Sequence, residues 1–139
     1  MRLGGVLETC LYAADLAAAE RFYAGLLGLE VIGRAPDRHV FFRAGDGVFL
    51  VFNPARTRDA AGEVGGVPVP SHGTSGAGHV AFRVASSELD AWRARLESAG
   101  IAIEAAIDWP RGGRSFYLRD PAGNSIELAS PTIWGIAED

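Results

Sequence analysis

Hydrophobic and polar positions along this chain follow two periods, one of strands and one of helices, in an order that occurs twice. From Val6 to Ala13 the residues alternate, with Leu7, Thr9 and Leu11 on one side and Glu8, Cys10 and Tyr12 on the other, which predicts a strand. Asp15 is placed as an N-cap. Leu16, Ala19, Phe22, Tyr23, Leu26 and Leu27 follow at helical spacing, and Gly28 fits the stop, so a helix is predicted over 16–27. Leu29–Gly33 reads as a short strand and Pro36-Asp37 as a turn. His39–Ala44 and Val48–Asn53 read as two strands joined around Asp46-Gly47. Residues 54–78, rich in glycine and proline, show no sustained period and read as a loop or linker.

The pattern then restarts. In Gly78–Val84 the residues Val80, Phe82 and Val84 share one side, and His79, Ala81 and Arg83 the other. Ser86 or Ser87 caps a helix with the stripe Leu89, Trp92, Leu96 and Ala99, ended by Gly100. Ile101–Ile107 is a strand. Two more strands flank the turn residues Asp120, Pro121, Gly123 and Asn124, and the last exposes Ile126 and Leu128 on one side and Ser125 and Glu127 on the other. The tail carries Ile133, Trp134 and Ile136, apolar enough to pack back on the body.

Strand–helix–strand–strand–strand therefore occurs twice. The expected fold is α+β: two tandem βαβββ modules forming a curved mixed sheet around a cleft, with the helices outside. The modules are residues 5–53 and 78–130, with a linker at 54–77 and a tail at 131–139. At 139 residues, 48% of them hydrophobic, the chain reads as one globular domain. A net charge of −4 with scattered arginines gives no footprint for nucleic acid, and the single cysteine gives no internal disulfide. Without an apolar run of membrane-spanning length or a signal-peptide layout, the expectation is a cytoplasmic protein with no membrane partner.

If the apolar side of each first strand faces its helix, Glu8 and His79 are sent to the opposite, concave side, and the same reasoning sends Glu127 there. Two carboxylates and an imidazole suit a divalent first-row metal. Three protein ligands leave positions open for substrate, as in a catalytic site. Cys10, Tyr12, Arg83, Ser115 and Tyr117 fall on the same side and are candidate substrate contacts, with Tyr117 also a candidate catalytic hydroxyl. Arg114 and Arg119 are candidate anion contacts. Cys10 is otherwise a small buried hydrophobe. The side on which His39 lies is left open, His72 is read as exposed in its loop, and Trp109-Pro110 as lining the cleft mouth or packing at a strand edge.

Three runs carry a resemblance. Glu8-Thr9-Cys10-Leu11-Tyr12-Ala13-Ala14-Asp15-Leu16, leading to Arg21-Phe22-Tyr23 and Leu27-Gly28-Leu29, is one. Gly78-His79-Val80-Ala81-Phe82 is the second, and Phe116-Tyr117-Leu118-Arg119-Asp120-Pro121-Ala122-Gly123-Asn124-Ser125-Ile126-Glu127 the third. Together they resemble the vicinal oxygen chelate superfamily, which includes glyoxalase I, bleomycin resistance proteins, extradiol dioxygenases and fosfomycin resistance thiol transferases. The resemblance implies metal ligands at Glu8, His79 and Glu127, and a homodimer with clefts formed within one chain or by module exchange. Glu8 stands where many relatives have His. The position of a fourth ligand falls among Phe49, Leu50 and Val51, none of which binds metal.

The expected function is that of a metalloenzyme using one divalent ion (Mn, Co, Ni, Zn or Fe) on a small oxygen-chelating substrate. Isomerase or lyase chemistry, with Glu8 or Glu127 moving protons, stands beside thiol addition, and dioxygenase chemistry is set aside. The alternative is a metal-free protein that sequesters a small molecule or drug.

Overall fold

The structure, a computed structural model, describes residues 1–59 and 62–138. Ala60 and Ala61, in the expected linker, and Asp139, at the end of the tail, lie outside the described residues. The chain is of mixed α+β class and forms two compact units, Met1–Gly76 and Ala77–Asp139.

In the first unit, β1 (Glu8–Tyr12) leads to α1 (Leu16–Glu20) and then to β2 (Glu30–Ala35), β3 (His39–Ala44) and β4 (Gly47–Phe52). The strands form one sheet in the order β1-β4-β3-β2. β1 runs parallel to β4, and the other pairs are antiparallel. Asp15 caps α1 as expected, its Oδ1 accepting from the Ala18 N–H at 2.8 Å. The helix does not run on regularly to residue 27, because Arg21–Leu26 widens into a π-helical turn. In that turn the neighbouring residues Phe22 and Tyr23 are both buried. Tyr23, fully buried, meets Phe22, Phe42 and Phe49 at ring centroid distances of 5.0, 5.6 and 4.7 Å. With Leu11, Val40 and Val51 these rings fill the space between α1 and its sheet.

Two details differ from the sequence expectation. The β3–β4 turn is one residue earlier, at Gly45-Asp46, because Gly45 takes the positive φ of 58° that the tight turn requires. The linker is also not structureless. It holds α2 (Pro54–Thr57), capped by Asn53, and an antiparallel hairpin of β5 (Gly62–Val64) and β6 (Val67–Val69).

The second unit repeats the order. β7 (His79–Arg83) is followed by a 3₁₀ turn and α3 (Leu89–Ser98), then by β8 (Ala105–Asp108), β9 (Arg114–Arg119) and β10 (Ser125–Ala129). The sheet order is β7-β10-β9-β8, with β7 parallel to β10, the same topology as in the first unit. Leu89 and Leu96 of α3 are buried together with Phe116, Leu118, Ile126 and Leu128 of the sheet. β8 starts later than expected, at Ala105, and residues 101–104 form no regular strand. The tail makes a 3₁₀ turn, Pro131–Trp134. Of the three apolar residues expected to pack, Ile133 is half-buried, while Trp134 and Ile136 remain exposed; among the described tail residues Pro131 is buried. Among the described residues, no helix is long and apolar enough to cross a membrane.

Candidate functional site

Strand registers settle which side chains share a face. In the second unit Ser125 is paired with His79, Glu127 with Ala81, and Ala129 with Arg83. Across β9 the same residues are opposite Arg119, Tyr117 and Ser115. Paired residues point to the same side of a sheet. His79, Arg83, Ser115, Tyr117, Arg119, Ser125 and Glu127 therefore lie together, on the side away from α3.

The turn 120–124 fixes the strands that carry this face. Asp120 Oδ1 accepts from the N–H groups of Ala122 and Asn124 at 2.9 and 2.8 Å. Its Oδ2 accepts from Asn124 Nδ2 at 2.8 Å. The buried Asn124 side chain in turn accepts from the Gly78 N–H at 2.8 Å. The Ser125 N–H donates to the Gly78 carbonyl at 2.9 Å. The starts of β7 and β10 are thus tied one residue ahead of His79 and two ahead of Glu127. Gly123 completes the turn at φ +85°.

At the centre of the face Glu127 is 5% exposed. Its Oε1 is buried without a hydrogen-bond partner, an expensive condition for a carboxylate. His79 Nε2 stands 3.5 Å from Glu127 Oε2, longer than a well-formed N–H···O bond. The other ring nitrogen, Nδ1, lies 3.1 Å from the Ser125 carbonyl oxygen. A carbonyl only accepts, so Nδ1 carries a proton, and Nε2 is the ring nitrogen that faces the carboxylate. A ring nitrogen and a carboxylate oxygen side by side are donors that suit a cation, and the carbonyl holding Nδ1 is the support that metal-binding histidines characteristically have. The Tyr117 ring lies over His79, with centroids 6.1 Å apart and planes 25° from parallel. Burial, together with the neighbouring Glu127 carboxylate, raises the Tyr117 hydroxyl above its ordinary pKa.

The remaining candidates of this unit are placed as follows. Ser115 is buried and its Oγ accepts from Trp109 Nε1 at 2.9 Å, so it is held by the indole. Arg83 is exposed on the shared face. Arg119 pairs with Glu104, with N···O distances down to 2.5 Å. Arg114 is a correction. Strand alternation puts it on the opposite side to Ser115, where its guanidinium reaches Asp90 of α3 at 3.0 Å and the Ser86 carbonyl at 3.4 Å.

In the first unit Glu8, Cys10 and Tyr12 are paired with Val48, Leu50 and Phe52, which oppose Arg43, Phe41 and His39. All lie on the side away from α1, which settles the facing of His39. Glu8 is exposed. The Cys10 thiol donates to the Tyr12 hydroxyl at 3.7 Å, and the hydroxyl is hydrogen-bonded to His72 Nδ1 at 2.7 Å. Burial, with Cys10 beside it, pushes Tyr12 up to about 12. His72 is thus not an exposed loop residue. Its N–H donates to the Thr57 carbonyl at 3.0 Å, and its ring packs on Phe52 at 4.6 Å. The sequence gives no period in this segment from which the docking can be read.

Among the described residues, no group of three or more His, Cys, Asp and Glu side chains is gathered closely enough to hold a metal. His79 and Glu127 stand as a pair.

The chain belongs to the Glyoxalase/Bleomycin resistance protein/Dioxygenase superfamily, whose model matches residues 5–128. It is similar to the crystal structure of a lactoylglutathione lyase from Agrobacterium tumefaciens, with 39% identity and a TM-score of 0.91, over 98% of this chain and 100% of that one. It is also similar to a glyoxalase/bleomycin resistance protein/dioxygenase from Nocardioides, at 25% identity and a TM-score of 0.69, over 94% of this chain and 85% of that one. The fosfomycin resistance protein FosX from Mesorhizobium loti shares the fold at 21% identity and a TM-score of 0.64, over 94% of this chain and 95% of that one. No match was found among curated protein sequences.

Proposed function

We propose that this chain is a divalent-metal-dependent enzyme that shifts a proton within a small substrate bearing two neighbouring oxygens, isomerase or lyase chemistry of the glyoxalase kind. The observation that carries the reading is the buried Glu127 carboxylate, with one oxygen unpartnered and the other 3.5 Å from His79 Nε2. The 39% identity to a lactoylglutathione lyase supports the reaction class. His79 and Glu127 would hold the metal; Glu8 occupies in the first repeat the register position that His79 holds in the second and is the further candidate ligand from the sequence. An imidazole with carboxylate donors suits Mn, Co, Ni, Zn or Fe. Bound there, a divalent ion supplies Lewis-acid polarisation of the substrate's oxygens.

The side chains do the rest. The Tyr117 hydroxyl, its pKa raised, stays protonated and donates a hydrogen bond to an oxygen on which charge develops. Glu127, with Oε1 unpartnered, takes a proton from the carbon beside that oxygen and returns it to the neighbouring carbon, so the step is a net isomerisation. Arg83, Cys10 and Tyr12 contact the remainder of the substrate, while Ser115 holds its place through Trp109. The working form is a homodimer.

Elemental analysis after metal supplementation tests this. Wild type is expected to retain about one ion per chain, as in a three-ligand catalytic site. His79→Ala and Glu127→Ala are expected to lose it with the fold intact, and Glu8→Ala to hold it more weakly. If wild type retains none and the substitutions leave ligand binding unchanged, the metal-free sequestering protein is the correct reading.

A further inference from the structure

The second unit holds a groove on the side of its sheet away from Glu127. Arg114 reaches Asp90 of α3 and so lies on the helix side. Phe116 shares that side by alternation, and so do Asp108 and Ala106, which are paired with Arg114 and Phe116. Between α3 and β8 these residues enclose a cavity of about 130 Å³. Leu89 and Phe116, both buried, form its floor. Ala106 offers only a methyl group where a larger side chain would close the gap, and it remains exposed. Four charges stand around this floor. Asp90 and Arg114 satisfy each other at 3.0 and 3.4 Å, and Arg114 also meets the Ser86 carbonyl at 3.4 Å. The other two are uncommitted. Arg93, on α3, spends its Nε on Glu97 at 2.9 Å, and among the described residues Nη1 and Nη2 find no acceptor. Asp108, on β8, accepts no hydrogen bond among the described residues.

We propose that this groove binds a small zwitterion, an amino acid whose carboxylate meets the free end of Arg93 and whose ammonium group meets Asp108. One uncommitted charge comes from the helix wall and the opposite one from the strand wall. A ligand with both charges satisfies both walls through charge-assisted hydrogen bonds. A ligand with one charge takes water from the second wall and gives it no partner. The apolar floor receives the short carbon chain between the charges. A cavity of this size admits about six non-hydrogen atoms, which fits an amino acid as small as alanine and turns away an aromatic one. The groove is separate from the site around Glu127, because Phe116 faces the helix while Ser115 and Tyr117 face the other side of the same strand. Its ligand is therefore a second molecule, distinct from the substrate of the proton shift.

Amino acids also chelate metal ions, so the test uses the full chain freed of metal by a chelator and then dialysed. The isotope-labelled protein is titrated with L-alanine, β-alanine, propionate and propylamine, and its amide resonances are followed. Saturable shifts are expected around 89–93, 106–108 and 114–116, the residues of the groove. At least one of the two amino acids is expected to bind about tenfold or more tightly than propionate or propylamine. The comparison of L-alanine with β-alanine reads the separation of charges that the groove takes. Arg93→Gln and Asp108→Asn are each expected to weaken that binding about tenfold. Ala106→Leu, which fills the groove and leaves every charge in place, is expected to abolish it. Circular dichroism checks that each variant is folded. The absence of saturable shifts with both amino acids overturns the proposal, as does equally tight binding of propionate or propylamine. Shifts centred on His79 and Glu127, or an affinity unmoved in any folded variant, overturn it as well. None of these outcomes touches the metal reading, which is tested on the metal-supplemented protein.

Discussion

Leu50 holds in the first repeat the register position that Glu127 holds in the second: each lies two residues beyond the partner of the first strand's outward-facing side chain. Both are buried, Leu50 at 7% exposure and Glu127 at 5%. The same place in the same topology is thus filled once by a hydrocarbon and once by a carboxylate with an unsatisfied oxygen.

Glu127→Leu is therefore expected to stabilise the metal-free protein while abolishing metal retention. Removing a buried polar group that lacks a partner contributes about 1–3 kcal/mol, and Leu50 shows that the pleat accepts leucine. Thermal melts of chelator-treated wild type and variant check the first part, and elemental analysis the second. A lower midpoint for the variant would show that the carboxylate is satisfied without a metal.

Asn124→Ala is expected to cost about 2 kcal/mol or more, because it removes the hydrogen bonds that its side chain makes to the Gly78 N–H and to Asp120 Oδ2. It is also expected to weaken metal retention, since the two strands that carry His79 and Glu127 are tied at this point. Denaturant melts measure the first effect and metal titration the second. Unchanged metal affinity in a destabilised variant would confine the clamp to stability.

His39 makes stability depend on pH. Burial, assisted by the charge of Arg38, holds its pKa below the ordinary 6.5. The unfolded chain then takes up the proton first, so stability is full above about 6.5 and declines as pH falls from there toward the folded value. His39→Phe is expected to flatten that part of the profile. Midpoints between pH 5 and 8 for the two proteins are the measurement, and parallel profiles would refute the assignment.

Tyr12 is expected to ionise near 12, well above an ordinary tyrosine. Part of the shift comes from Cys10, so Cys10→Ala is expected to bring the titration down toward 10. Ultraviolet difference titration follows the phenolate directly, and an unmoved curve would remove Cys10 from the account.

Much of the fold was legible because alternation and helical spacing are local properties. The strands of both repeats follow from residues such as Val80 and Phe82 against His79 and Ala81, and from the turn residues between Asp120 and Asn124. The boundaries that shifted did so for reasons a local pattern does not hold. Gly45 took the turn from Asp46-Gly47 through its positive φ. Phe22 and Tyr23 lie in a widened turn in which both adjacent rings are buried. Arg114 was misplaced because its candidacy rested on charge and not on the alternation that sets it opposite Ser115. His72 was read as exposed because a histidine in an aperiodic stretch declares no partner, and Tyr12 lies 60 residues earlier in the chain. The side on which His39 lies was open to the alternation rule once the registers of β3 and β4 were known.

The connecting segment is fastened at its base. The His72 N–H meets the Thr57 carbonyl at 3.0 Å, and Arg38 donates to the Arg56 carbonyl at 2.6 Å. Beyond that closure the β5–β6 hairpin turns at Gly65-Gly66, with Val64 and Val67 largely exposed. Because lengthening a loop whose ends are already joined costs little, this hairpin is where the chain tolerates insertion. Over generations it is the segment through which the protein could acquire a new specificity while both sheets stay as they are.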